Sequence, residues 1–138
     1  MSNKEYKKSY RGFVVFFITF LALIIGGALL SAEFFADHTC RIVIDLVCIC
    51  MAALTFIIYK YDKIYWYNGI EFEEGEKAGK ERRDAYTKAH FRIFSIYALC
   101  VLAFSTINVL LSVNQWVDFA VGTVGLCTAA IFTVKIKL

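Results

Sequence analysis

Four apolar runs, each about as long as a bilayer is thick, leave this chain few ways to fold. The first, residues 12–31, holds no charged residue from Gly12 to Ser31. At 1.5 Å per residue, about 20 residues reach roughly 30 Å, the thickness of the hydrocarbon layer. The others are residues 42–61, 93–113 and 116–136. Between the second and third lies the one long polar stretch, and within each pair the link is short. In hydrocarbon every backbone polar group must be satisfied internally, which selects helices. The expected fold is an all-α membrane protein: four transmembrane helices as two hairpins joined by a helical, charged connector over about 62–92, in a single domain.

Composition supports this. The 138 residues are 59% hydrophobic with a mean hydropathy of +0.61, against about 45–50% apolar for a soluble domain. The net charge of +3 is small and unevenly spread, so no nucleic-acid surface is expected. There is no proline, and plain continuous helices are expected in place of the broken half-helices of transporter sites. The N-terminal run is too long for the apolar core of a signal peptide, and Leu30-Ser31-Ala32 fits a cleavage site poorly. An uncleaved first span is expected.

Fourteen of the fifteen Lys and Arg residues fall at the two ends or in and around the connector, and Arg41 alone falls elsewhere. The positive-inside bias then puts both termini and the connector in the cytoplasm, in the cell membrane. Glu33, Asp37 and Asp118 fall on the outer side, where they could form an acidic mouth attractive to cations.

Inside the spans three polar residues stand out. Arg41 and Asp45 are four apart, share a helix face and are expected to pair. Asp45 lies about one turn from the outer surface; an ionisable group there is either a structural partner or an ion or substrate site. Asn108, grouped with Ser105 and Thr106, is expected to hydrogen-bond between helices. Small residues recur at Ala22, Gly26, Gly27 and Ser31, and again at Gly122, Gly125, Ala129 and Ala130, as on closely packed helix faces.

In the connector, Tyr65-Trp66-Tyr67 is expected at headgroup level, and Asn68-Gly69 reads as a turn. Early acids (Glu71, Glu73, Glu74, Glu76) and the pairs Glu73/Lys77 and Glu76/Lys80 favour a helix from about Glu71 running into the third span. Gly75, Ala78, Gly79, Ala85 and Ala89 are expected to pack inward. Lys80, Arg83 and Lys88 are expected outside as partner-docking residues.

No catalytic constellation is visible, so no enzyme, cofactor or metal is expected. Cys48 and Cys50 point to nearly opposite helix sides and make no redox pair. His38 and Cys40 lack a second pair of metal ligands. Two functional classes remain. One is a small protein acting through partners, as an accessory, regulatory or immunity-type subunit, either homo-oligomeric or bound to a larger membrane protein. The other is a small oligomeric transporter or channel for a cation or small solute.

Overall fold

A computed structural model describes residues 6–67 and 69–138; Lys4 and the Asn68 half of the expected turn lie outside them. The regular elements among the described residues are all helices, with α1 Arg11–Phe34, α2 Thr39–Tyr61, α3 Phe72–Leu110 and α4 Gln115–Val134. Short 3₁₀ turns at Ala36–His38 and Ile64–Trp66 link the first three. All four helices are long and apolar enough to cross a membrane. The helical connector and third run follow one another over the 39 residues Phe72–Leu110, across a kink at Gly79.

The helix ends have local causes. Asp62 closes α2 in the left-handed region, φ 53°. Its N–H reaches the Tyr59 carbonyl and that of Lys63 reaches Ile58, the Schellman pattern that satisfies the last carbonyls. Ser112, φ 54°, closes α3 with the same pair of bonds, to Val109 and Asn108. The Asn114 side chain then accepts the Trp116 N–H at 3.0 Å and starts α4, as a polar N-cap does.

One expectation fails here. Gly79 has φ 77° and ψ 162°, so α3 is broken inside the connector rather than continuous. Glycine populates that region at little steric cost. The apolar part of α3 follows the break without interruption.

Ile44, Cys48, Phe94, Tyr97, Ala98, Val101 and Ala129 form the core, where α2, α3 and α4 meet. Gly122 lies directly against Ile44, and a methyl group at Gly125 would come within 2.8 Å of Tyr97. These two and Ala129 make the small face of α4; Ala130 is exposed. α1 packs chiefly on α2, with Gly27 against Leu46, while a methyl group at Gly26 would meet nothing within 4 Å and Ala22 is exposed. Only Ser31 of α1 is buried. A helix apolar on all sides suits a hydrocarbon solvent.

Candidate functional site

At the end of the bundle where α2 begins and α3 finishes, polar side chains form a connected network. Arg41, 3% exposed, donates through Nε to Asp118 Oδ2 at 2.6 Å and through Nη2 to the Val113 carbonyl at 2.9 Å. Its Nη1 lies 2.7 Å from His38 Nδ1. A guanidinium has no acceptor, so His38 accepts there and carries its proton on Nε2. Asp118, 1% exposed, accepts from Asn108 Nδ2 at 2.6 Å on its other oxygen. Gln115 clasps the same end, accepting from the Cys40 N–H and donating to the Ala36 carbonyl.

This arrangement corrects two expectations. Arg41 pairs with Asp118, 77 positions away, and not with Asp45 one turn along. Asp118 is not part of an outer acidic face: it is buried, and in the first turn of α4 its carboxylate is stabilised by both the Arg41 guanidinium and the positive end of the helix dipole. Of the other two acids, Glu33 and Asp37 are exposed. Asn108 binds between helices, as expected.

Asp45 turns the other way, to α3. Its Oδ2 accepts from Ser105 Oγ at 2.8 Å, and its covered Oδ1 has no hydrogen-bond donor. A cavity of about 400 Å³ lies beside it, lined by Phe35, His38, Arg41, Ile42, Asp45, Ser105, Thr106, Val109 and Leu110. A second, of about 480 Å³, adjoins Arg41 on the side of Asp37, Ser112 and Trp116.

The far end is held by Arg83. Its guanidinium grips the Asp62 carboxylate at 2.7–3.1 Å, donates to the Gly75 carbonyl at 3.0 Å and lies 4.1 Å from the Tyr6 ring centroid. The Asp62 hydrogen bonds raise the Arg83 pKa further. Tyr6 stacks on Phe72 at 4.6 Å, and burial pushes its hydroxyl up to about 12. Tyr65 Oη accepts the Ser9 N–H at 2.7 Å, and Trp66 Nε1 donates to the Ser9 carbonyl at 3.1 Å. The N-terminal segment is thereby laid over the connector. Tyr65 and Trp66 are engaged within the protein and do not simply project outward.

Arg83 is therefore not an outside docking residue. It is buried, because the Asp62 carboxylate and the Gly75 carbonyl satisfy its fork, while Lys80 and Lys88 are exposed as expected. Gly75 packs inward against Ile64 and Tyr6, but Ala85 is exposed. Nearby, His90 sits between Tyr67 and Tyr86, ring centroids 4.5 and 4.2 Å away. Burial lowers its pKa, opposed by the hydrogen bond to the Tyr86 carbonyl.

The residues missed from sequence are Gln115, Asp62 and Tyr6, while His38, which reads from sequence only as a weak metal ligand, accepts from Arg41. Asp62 and Tyr6 carry no local pattern. Gln115 follows the helix-starting Asn114, which was a readable signal. Among the described residues no group of three His, Cys, Asp or Glu side chains could hold a metal ion. No protein-family model, curated protein or solved structure matches the chain.

Proposed function

We propose that this is a small, non-enzymatic protein of the cell membrane that acts through a protein partner, as an accessory, regulatory or immunity-type subunit. In this reading its spans form two hairpins, both termini are cytoplasmic, and the connector, residues 62–92, is the docking surface. The observation that carries it is the Arg83 clasp. A tether between two spans needs only a few residues, and ordering a longer one costs about 1–2 kcal/mol of backbone entropy per residue. Here the segment is instead folded around a bidentate ion pair of buried Arg83 with half-buried Asp62 and sealed by Tyr6, with Lys80 and Lys88 left on its outside.

The test has two arms. Photo-crosslinkers at the exposed Ala85 and Arg92 in native membranes are expected to give one discrete protein adduct, lost on the double change Lys80→Glu, Lys88→Glu. Replacing residues 70–87 by a Gly/Ser linker is expected to leave the spans inserted and abolish the Arg92 adduct. Adducts to lipid alone, or a protein adduct indifferent to both changes, refute the reading. A reporter active only outside the cytoplasm, fused to the C-terminus, is expected to stay silent.

The transporter or channel reading has one observation in its favour, the unpaired Asp45 oxygen beside a cavity. Proteoliposomes that show a flux lost in Asp45→Asn would establish it.

A further inference from the structure

The cavity between α2 and α3 has a charge account that does not close. Arg41 borders it, but the Arg41 charge is cancelled at 2.6 Å by Asp118. His38 accepts from Arg41 through Nδ1. Asp45 is left as the one acidic side chain on this wall without a paired base. A carboxylate inside a span costs several kcal/mol when unpaired, so this wall is set for a cation or a strong donor.

The hydroxyls narrow the class. Ser105 Oγ spends its proton on Asp45 Oδ2, and Thr106 Oγ1 spends its own on the Leu102 carbonyl at 2.8 Å. A hydroxyl has one proton and two lone pairs, so both present only acceptors to a ligand. Three acceptors on one wall match the three donors of a primary ammonium. A quaternary ammonium, with no N–H, leaves them unanswered. Asp45 Oδ1 is covered as the side chain stands; the broad, soft last torsion of an aspartate is what would turn it toward a ligand.

The remaining wall is apolar: Phe35, Ile42, Val109 and Leu110. Phe35 and Leu110 are 60% and 79% exposed, so the cavity opens sideways along apolar surface. Its volume of about 400 Å³ falls within the roughly 300–1,000 Å³ of ligand pockets. We propose that this cavity binds a membrane amphiphile carrying a primary ammonium, with the head on Asp45, Ser105 and Thr106 and the chain along Phe35, Ile42, Val109 and Leu110. The site is independent of the connector and of any partner bound there.

The probe is dodecylamine, titrated at pH 7.5 into the purified full chain in a neutral maltoside detergent. Thermal stability and native mass spectrometry are the readouts. One saturable site and a raised melting temperature are expected. Asp45→Asn, which keeps the shape, is expected to weaken binding at least tenfold, and Thr106→Val, at an exposed position that leaves the fold intact, several-fold. Dodecyltrimethylammonium is expected to bind at least tenfold more weakly, and ethylamine at equal concentration to give no shift. Nanodiscs separate the two sources of this chemistry. Retention of phosphatidylethanolamine over phosphatidylcholine marks a lipid headgroup; dodecylamine binding without that preference marks a free long-chain amine. Undiminished binding in both variants, equal binding of the trimethylammonium analogue, or an equal effect of ethylamine overturns the proposal.

Discussion

Removing the Asp118 carboxylate tests whether the buried network holds the bundle together. Asp118→Leu strands two donors at once: the Arg41 guanidinium, 3% exposed, and the Asn108 amide, 5% exposed. Breaking a buried pair by deleting one partner costs about 3–5 kcal/mol, because the surviving charge stays desolvated. An orphaned amide adds about 1–3 kcal/mol. The two overlap in one site, and helices unfolded within a membrane find other polar partners, so about 3–5 kcal/mol is expected in total. The double variant Arg41→Met, Asp118→Leu leaves no stranded charge and is expected within about 2 kcal/mol of the native protein. The coupling between the two positions is then at least about 2 kcal/mol. The assay is SDS-driven unfolding in mixed micelles, followed by helical circular dichroism and by the fluorescence of Trp66 and Trp116, the latter two positions from Asp118. The cycle Arg41→Met with Asp45→Ala serves as control, with a coupling below about 1 kcal/mol expected, since Asp45 bonds Ser105 instead. Single-variant costs that add within about 0.5 kcal/mol for Arg41 and Asp118 refute the network's role.

Three further outcomes are expected. Arg83→Lys keeps the charge but loses the fork on Asp62 and the bond to Gly75, so unfolding should become easier by about 2 kcal/mol; an unchanged midpoint would show the clasp to be idle. Gly122→Val should be destabilised by about 1–3 kcal/mol through overpacking on Ile44, while Gly26→Ala, with open space around it, should be neutral or gain up to about 1 kcal/mol; equal melting temperatures for both would contradict the packing. The folded-state pKa of His90, enclosed by Tyr67 and Tyr86, lies below its ordinary 6.5. The unfolded chain therefore takes up the proton first as pH falls, so stability is flat above about 6.5 and declines below it. The melting temperature should drop between pH 7.5 and 5.5, and drop less in His90→Gln.

The spans were legible because the solvent dictates them: a run such as Gly12 to Ser31 has one stable state in hydrocarbon, and its length is set by the bilayer. The partners of the charged residues were not, and Arg41 shows why. The four-residue rule ranks neighbours on one helix, yet once a guanidinium is desolvated the best partner is whichever carboxylate comes with its own dipole and a second donor. Asp118 met those terms from another helix, and nothing local to Arg41 announced it. Arg83 is the more instructive case, since a signal existed. Arg83, Thr87, His90, Phe94, Tyr97, Val101, Ser105 and Asn108 are all buried, and they recur at three- and four-residue steps along α3, on one continuous face. Reading that face from Phe94 and Tyr97 toward the connector carries it through His90, Thr87 and Arg83, whereas following the small residues Ala85 and Ala89 leads toward the exposed side. A polar side chain that falls in phase with a buried apolar stripe is therefore better read as a group awaiting an internal partner than as part of a solvated surface. Asp62 on the preceding turn is the partner for Arg83, and the same logic applied to Ser105 leads back to Asp45.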